Sequence, residues 1–382
     1  MAESSPPPDA SQPFDIVSKY HSLLSADPDL TPPIAAIEAL IALLTSSPAT
    51  TISETLNLLS HSSATLRASI PNWIALSAGT DLFQRYLIQT LNRPGALGSG
   101  GDFGYLRQHL LSNGRLFVQR AKKARAKIAE EGRLFIREGS TILTNGGSRV
   151  VSALLLRASG SQSVGPRFRV IYVLPSPSLS SAKPPEDKSK PEEGHKTITT
   201  LRSHSIPVAV IPYSALAISL PLIDLVLVGA EGVVENGGII SRLGTYQIGL
   251  LAQCAGKPMY VAAESYKFVR LYPLGMADLP VRQSIIRFEP EDDEDDAQMH
   301  DERKAISQKQ QQDDTENDTD GREGHHQQSP SASTSPTKQD QEITNLSDAV
   351  DFTPPNLISA LITENGVMTP SAVSEELIKL WF

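Results

Sequence analysis

Two glycine-containing loops carry the polar residues that are best placed for chemistry in this chain. The first is residues 145–148, which follow the apolar run 141–143. The second begins after the apolar run 225–228 and carries Glu231. Open parallel sheets bind ligands in polar loops of this kind, at the carboxyl ends of buried strands. The sequence therefore predicts a ligand site where the two loops meet.

The glycine-containing turns, together with Arg149 and Arg242, favour a phosphate as the ligand of this site, because backbone N–H groups at helix N-termini bind anions. A second interpretation stands beside it. The glycines then only shape tight turns, and the arginines pair with Glu231 or Glu235. The candidate residues for the pocket are Asn145, Gly146, Ser148, Arg149, Glu231, Asn236, Gly237, Gly238, Arg242 and Thr245.

Motifs for other chemistries do not occur. The run Gly229-Ala-Glu-Gly232 lacks the spacing of a dinucleotide-binding loop, and no P-loop motif is found. His61 and His109 are single histidines without zinc-ligand spacing. We therefore expect no cofactor and no metal.

Residues 14–130 have helical spacing throughout and predict an all-helical domain. Thr31 and Pro32 predict a helix start, and a long helix is predicted over residues 103–130, with Gly114 as a weak point. The cations on that helix indicate either a solvated face or a docking face for an acidic or phosphorylated protein. No nucleic-acid recognition motif accompanies them. The cations of the helix are Arg115, Arg120, Lys122, Lys123, Arg125 and Lys127.

Strands and helices alternate from residue 131 to residue 382, which predicts a parallel sheet with helices on both faces. The predicted strands are residues 141–143, 169–174, 208–211, 225–228 and 259–262. Further helices are predicted over residues 149–157, 197–204, 213–220, 245–255, 356–363 and 371–380. The fold class is α/β, with an N-terminal all-helical domain ahead of the sheet domain.

Three segments have compositions that predict disorder. They are a tail over residues 1–13, a proline-rich insert at 175–196 and an acidic insert at 289–345. Residues 289–342 contain 17 acidic and 5 basic residues, while the whole chain of 382 residues has a net charge of −9. The remainder is therefore close to neutral, and the overall charge indicates little about its partners.

Compartment signals are few. The N-terminus has neither a basic nor an apolar signal region, and Cys254 is the single cysteine. We expect a cytoplasmic protein, with Cys254 as a buried structural thiol. Residues 208–228 are apolar, but Pro212, Pro221 and Asp224 divide them into pieces too short to span a membrane as one helix.

The glycine-rich segment also resembles a known family. The residues that carry the resemblance are Gly229-Ala-Glu-Gly-Val-Val-Glu-Asn-Gly-Gly238, Leu243-Gly-Thr-Tyr246 and Ala263-Glu-Ser-Tyr-Lys-Phe268. They are similar to the alpha subunits of translation initiation factor 2B, the guanine nucleotide exchange factor complex. The fold is shared with isomerases of methylthioribose 1-phosphate and ribose 1,5-bisphosphate. The ending Thr369-Pro-Ser-Ala-Val-Ser-Glu-Glu-Leu-Ile378 favours the subunit branch.

The resemblance implies a non-catalytic regulatory subunit. It implies a homodimer formed through the Rossmann-like domain, and assembly with beta, delta, gamma and epsilon subunits. It also implies that the chain senses phosphorylation of the alpha chain of initiation factor 2. No direct contact with nucleic acid or a membrane is expected.

The alternative functions are a sugar-phosphate isomerase or a metabolite-sensing module that binds a sugar phosphate or nucleotide. The resemblance implies that the isomerases carry a catalytic cysteine in the first of the two loops and a catalytic aspartate in the second. Gly146 and Glu231 stand at those positions here. Glycine has no side chain to move a proton, so the comparison disfavours isomerase chemistry.

Overall fold

The computed structural model describes residues 14–27, 30–47, 51–70, 73–91, 103–160, 168–175, 194–281, 283, 285 and 349–381. Met1–Arg282 together with Asn345–Phe382 form one compact unit, and Gln283–Thr344 form a second. Nearly all described residues belong to the first unit. The predicted tail at 1–13, most of the insert at 175–196 and the whole insert at 289–345 lie outside the described residues.

In the described residues, the N-terminal part contains five helices: α1 (Ile16–Ala26), α2 (Pro32–Ser46), α3 (Ile52–Ser69), α4 (Ile74–Leu91) and α5 (Phe103–Gly132). Local signals explain their starts. The Thr51 hydroxyl accepts a hydrogen bond from the Glu54 N–H at 3.2 Å, as an N-cap does. Thr31 holds the cap position of α2 without capping it, because its hydroxyl lies 3.4 Å from the Tyr266 hydroxyl. The predicted all-helical beginning is confirmed in the described part of residues 14–130.

Helix α5 joins the helical part to the sheet. Gly114 does not break it: a methyl group there would lie 3.1 Å from Ile41 of α2 and 3.3 Å from Phe83 of α4. At the other end, a methyl group at Gly132 would meet Leu154. The two glycines therefore allow α5 to approach its neighbours closely.

A seven-stranded sheet follows, with strand order β11-β10-β7-β4-β1-β2-β3. Its strands are β1 (Thr141–Asn145), β2 (Arg169–Leu174), β3 (Val208–Pro212), β4 (Leu225–Gly229), β7 (Met259–Ala262), β10 (Ala360–Thr363) and β11 (Gly366–Met368). Every pairing is parallel except that of β10 with β11. The predicted Rossmann-like sheet is therefore confirmed.

The helices of the sheet domain are α6 (Arg149–Ala158), α7 (His195–Ser203), α8 (Leu216–Ser219), α9 (Thr245–Cys254) and α10 (Val373–Trp381). The predicted helix over residues 213–220 is only partly correct. It is a single α-turn flanked by the 3-10 turns Tyr213–Ala215 and Leu220–Leu222. Pro221 removes the N–H that a longer helix would need there. Among the described residues, no helix combines the length and hydropathy required to cross a bilayer.

A second sheet was not predicted. It has the order β8-β5-β6-β9, from β5 (Gly232–Val234), β6 (Ile239–Arg242), β8 (Phe268–Val269) and β9 (Val350–Thr353). The segment predicted as one glycine-rich loop is thus partly a β-hairpin, because β5 and β6 pair antiparallel. Val233, Val234, Ile239 and Ile240 are all fully buried, so their burial stabilises the pairing.

The helix predicted over residues 356–363 is wrong. Residues 355–357 form a 3-10 turn, and Ala360–Thr363 form β10. Leu361 and Ile362 pair in parallel with Val261 and Ala262 of β7 and are fully buried. Pairing with a strand 100 residues away outweighs the local helical preference of this short segment.

Candidate functional site

The two loops predicted to meet do so at the switch point of the sheet. Strands β2 and β3 lie on one side of β1, whereas β4, β7 and β10 lie on the other. The strand order therefore reverses between β1 and β4, where open α/β sheets bind ligands. Asn145 is the last residue of β1, and Gly229 is the last residue of β4. A methyl group at Gly229 would meet the Ser148 side chain, so only glycine fits here.

Asn145 lies at the centre of a buried polar group. Its side-chain amide donates to the Tyr213 hydroxyl at 3.1 Å and to the Thr245 hydroxyl at 3.0 Å. Thr245 in turn donates to the Arg242 carbonyl at 2.6 Å. Asn145 is 4% exposed and Thr245 is fully buried. These hydrogen bonds fix the end of β1 against the start of α9.

Gly146 adopts a left-handed backbone (φ +65°), which favours glycine. Its carbonyl accepts a hydrogen bond from the Tyr172 hydroxyl. A methyl group at Gly146 would lie 3.4 Å from Cγ of Arg242, which brings the two predicted site residues together. The backbone conformation is a structural reason for glycine at this position.

Arg242 and Glu231 form an ion pair across the loop, with Nε and Oε1 3.1 Å apart. Arg270 and Glu235 form a second, more exposed pair at 3.6 Å. These pairs favour the structural interpretation of the acidic loop, because the Arg242 charge is balanced within the chain. The side chains remain partly exposed, 29% for Arg242 and 19% for Glu231, so the pair borders solvent at the switch point.

The remaining predicted site residues have other contacts. Ser148 caps α6 by accepting from the Val151 N–H at 3.4 Å. Arg149 begins α6, and its charge acts on Tyr20 of α1: burial raises the Tyr20 pKa to about 12, and the cation opposes that rise. Arg149 thus lies near the helical part of the chain.

Asn236, Gly237 and Gly238 form the turn between β5 and β6. Asn236 donates from its side chain to the Pro273 carbonyl at 2.9 Å, and its side-chain oxygen accepts from the Gly238 N–H at 2.9 Å. A methyl group at Gly237 would meet the Pro370 carbonyl. The Val234 N–H donates to the Gly238 carbonyl at 3.0 Å, so this turn closes the β5–β6 hairpin of the second sheet.

Asp351 of β9 is a functional-site neighbour that the sequence analysis missed. Its carboxylate accepts from the N–H groups of Gly244 at 2.6 Å and Tyr246 at 2.9 Å, so it caps α9 from more than 100 residues away. Burial raises the pKa of Asp351 to about 7, although these hydrogen bonds oppose the shift. Within the described residues, no cluster of His, Cys, Asp and Glu suits a metal.

We expect Asp351→Asn to flatten the pH dependence of stability between pH 4 and 7. An Asp with a raised native pKa keeps its proton when the unfolded chain has lost it, so wild-type stability falls as the pH rises through this window. About three pKa units correspond to a difference of up to about 4 kcal/mol. Denaturant unfolding at pH 4.5 and 7.5 measures the effect, and parallel declines in both proteins would contradict it.

A buried ion pair joins the switch point to the helical part. Lys267 Nζ lies 3.0 Å from Glu264 Oε2 and donates to the Ala230 carbonyl at 3.0 Å. Glu264 is 1% exposed. Burial alone would raise its pKa, but the cations Lys267 and Arg125 hold it below the ordinary value. Tyr266, between them, packs into the core of helices α1 to α5.

The cations of α5 are distributed over several surroundings. Arg115, Arg120, Lys123 and Lys127 are exposed, Lys122 pairs with Glu38 at 2.8 Å, and Arg125 is half-buried. Arg115 and Lys19 lie beside an apolar floor in a groove between α1, α2 and α5. We call it the α1–α2–α5 groove; its lining is Lys19, Leu23, Glu38, Ile41, Ala42, Thr45, Ser46 and Arg115.

A helical part followed by a doubly wound parallel sheet, with polar loops at its switch point, defines a Rossmann-like α/β protein with an N-terminal helical extension. The sequence profile of the initiation factor 2 subunit family matches residues 26–370. The chain belongs to this family. The resemblance inferred from residues 229–268 is therefore confirmed.

Individual relatives show how far the similarity extends. Translation initiation factor eIF2B subunit alpha of Dictyostelium discoideum is 33% identical over 372 residues, covering 96% of this chain and 97% of the relative. Ribose 1,5-bisphosphate isomerase of Archaeoglobus fulgidus is also 33% identical, but over 171 residues, 44% of this chain and 49% of the enzyme.

A solved structure supports the fold. The tetrameric eIF2B-beta2-delta2 complex from C. thermophilum contains a chain that superposes with a TM-score of 0.61, covering 96% of this chain and 94% of that one. The sequence identity is 15%, so this likeness concerns the fold alone.

Proposed function

We propose that the chain is a non-catalytic regulatory subunit of the guanine nucleotide exchange factor for translation initiation factor 2. It acts in the cytoplasm, pairs with a second copy, and assembles with beta, gamma, delta and epsilon subunits. One observation carries the proposal: similarity to a named alpha subunit spans almost the whole of both chains, whereas similarity to the isomerase covers less than half of either.

The residues at the switch point support a role without catalysis. Isomerase chemistry needs a group that moves a proton. Gly146 offers none, and the Glu231 carboxylate is engaged with Arg242. Metabolite sensing remains the second candidate, favoured by the location of Arg242 at the switch point. If the purified chain turned over ribose 1,5-bisphosphate, it would be an isomerase, and both the regulatory and the metabolite-sensing proposals would be wrong.

Sensing of a phosphorylated partner requires cations on the helical part. A phosphoserine adds nearly two negative charges and three strong acceptor oxygens. The α1–α2–α5 groove offers Lys19 and Arg115 beside an apolar floor, which suits a phosphorylated loop that also buries apolar side chains. The sequence left two interpretations of the basic face of α5, a solvated face and a docking face, and this location supports the docking face.

Two tests use the full-length chain. In the first, the tagged wild-type chain is purified from native extract, and we expect the four other subunits to co-purify with it. The second measures binding of initiation factor 2 to the reconstituted complex. We expect Arg115→Ala to weaken binding of the phosphorylated alpha chain of initiation factor 2 tenfold or more, because a hydrogen bond between charged groups is lost. Binding of the unphosphorylated factor, measured in the same titration, stays unchanged.

Arg120→Ala is the matched control, since Arg120 is also exposed on α5 but does not line the groove. Equal weakening by both variants would show a general charge effect and remove the groove from the proposal. Absence of the other subunits from the purified material would overturn the subunit assignment itself.

A further inference from the structure

Met276 makes a hydrogen bond that a hydrocarbon side chain of the same size could not make. Its thioether sulfur, a weak acceptor, accepts the Phe352 N–H with 3.1 Å between nitrogen and sulfur. Phe352 lies in β9, which is the last strand in the order of the second sheet and pairs with β6. Edge strands carry N–H groups that no neighbouring strand accepts. The sulfur therefore takes the place of a strand partner at this position.

The turn that holds Met276 is tied together by its own hydrogen bonds. The Asp278 carboxylate accepts from the N–H groups of Leu274 at 2.8 Å and Gly275 at 3.1 Å. Met276–Asp278 then form a 3-10 turn. Because the backbone of this turn holds the sulfur against β9, a chemical change at the sulfur acts on the strand.

Exposure distinguishes Met276 from the other methionines of the described residues. Met276 is 42% exposed, whereas Met259 of β7 is 1% exposed and Met368 of β11 is half-buried. The remaining two methionines, Met1 and Met299, lie outside the described residues. Oxidation converts a thioether into a sulfoxide, which turns a flexible apolar side chain into a polar one. Met276 thus combines an accessible thioether with a hydrogen bond that depends on the sulfur.

Strand β9 connects this contact to the switch point. Asp351 precedes Phe352, and its carboxylate caps α9 by accepting from the N–H groups of Gly244 and Tyr246. The start of α9 in turn belongs to the polar group around Asn145. A displacement of β9 at Phe352 therefore reaches the cap of α9 through a single peptide bond.

We propose that Met276 is an oxidation site through which a peroxide loosens β9 and the cap that β9 places on α9. The sulfur attacks one oxygen of hydrogen peroxide, so the S–O bond forms as the O–O bond breaks. The leaving hydroxide takes the proton of the transferred oxygen and becomes water; the sulfur is oxidised by the two electrons that the peroxide gains. The bound oxygen withdraws electron density from the sulfur, which becomes a poorer acceptor for the Phe352 N–H. This inference goes beyond the proposed function and does not depend on it.

Peroxide treatment of the full-length chain tests the proposal, with peptide mass spectrometry to locate the added oxygen. We expect Met276 to be oxidised about tenfold faster than Met259 or more, since burial shields the Met259 sulfur. After oxidation, hydrogen exchange at the Phe352 and Tyr246 amides should accelerate about tenfold or more, because local opening controls the exchange of bonded amides. The Val226 amide of β4, which donates to the Pro258 carbonyl, should keep its rate and so report that the sheet stays folded.

Cys254 is replaced in this experiment, since an exposed thiol also reacts with peroxides. The thiol was predicted to be buried, and that prediction is wrong, because Cys254 is exposed. The buried face of α9 includes Ile248 and Ala252, and Cys254, the last residue of the helix, lies off that face. Cys254→Ala is therefore the background in which all samples are compared.

Met276→Leu is the matched control, because leucine has a similar size but no acceptor. Without peroxide, its Phe352 amide should exchange about as fast as in the oxidised chain, and peroxide should not accelerate it further. Equal oxidation rates of Met276 and Met259 would overturn the proposal. So would an oxidised chain whose Phe352 and Tyr246 amides keep their original exchange rates. Since oxidation of the unsubstituted Met276 is itself the perturbation, this outcome is decisive even if the leucine variant fails to fold.

Discussion

The variant Lys267→Met is expected to lose about 3–5 kcal/mol of unfolding free energy, the typical result of breaking a buried ion pair. Glu264 is 1% exposed and lies 3.0 Å from the Lys267 ammonium. Methionine fills a similar volume but leaves this carboxylate without its nearest cation and the Ala230 carbonyl without its donor. Denaturant unfolding at pH 7 measures the loss.

The matched control is Lys379→Met. Lys379 also pairs with a glutamate three residues earlier, Glu376 at 3.4 Å, but its side chain is 71% exposed. Exposed pairs contribute about 0–1 kcal/mol, so the control should stay near wild type. Similar losses in the two variants would show that burial of the Glu264 pair does not determine the effect.

Acid pH provides a second signature of the same pair. The native pKa of Glu264 is lowered, so its contribution is present above the ordinary value of about 4.3 and is lost as the pH falls through the native pKa. Lys267→Met removes the main cation that lowers this pKa. We therefore expect the variant to lose less stability than wild type on acidification below pH 4.

The variant Gly237→Ala is expected to lose about 2–5 kcal/mol. Gly237 has a φ of +83°, and a methyl group there would overlap the Pro370 carbonyl. The left-handed backbone costs an L residue about 1–2 kcal/mol, and overpacking against the backbone adds about 1–3 kcal/mol. Urea unfolding followed by far-ultraviolet circular dichroism gives the free-energy difference.

Gly139→Ala separates the two contributions. Gly139 has nearly the same φ, +79°, but no atom lies within 4 Å of the added methyl group. Its substitution should therefore cost only the left-handed conformation. If both variants lose equal stability, the contact between the β5–β6 turn and the segment before α10 has no energetic role.

Local signals determined how much of the fold the sequence could predict. Strands β2 and β7 are short, mostly apolar runs next to Pro175 and Pro258, and their predicted limits match the structure. Helix α9 was predicted within one residue, since Gly256 follows its end. The residues within and beside these elements were therefore enough to predict them.

The elements that were predicted wrongly or missed depend on contacts between distant parts of the chain. Strand β9 and strand β10 lie beyond the acidic insert and pair with β6 and β7, more than 95 residues earlier in the chain. The short segments that form them have no period that distinguishes strand from helix. Asp351 was missed for the same reason, because its role as a cap exists only once β9 lies beside α9.

The candidate site was predicted in part. Asn145, Gly146, Glu231, Arg242 and Thr245 are joined by direct contacts at the switch point. The position of a glycine-rich loop after a strand was enough to find them. Asn236, Gly237 and Gly238 belong to a turn of the second sheet, and that sheet was not predicted.

Helix α5 runs without interruption from the α1–α2–α5 groove to the sheet domain. Arg115 lies 17 residues before the end of this helix at Gly132, so the segment between them spans about 26 Å. A straight rod of that length converts a tilt of about 5° at one end into a displacement of about 2 Å at the other. Docking at Arg115 that tilts α5 would thus shift α6, the helix that starts at the switch point, so the groove and the switch point move together.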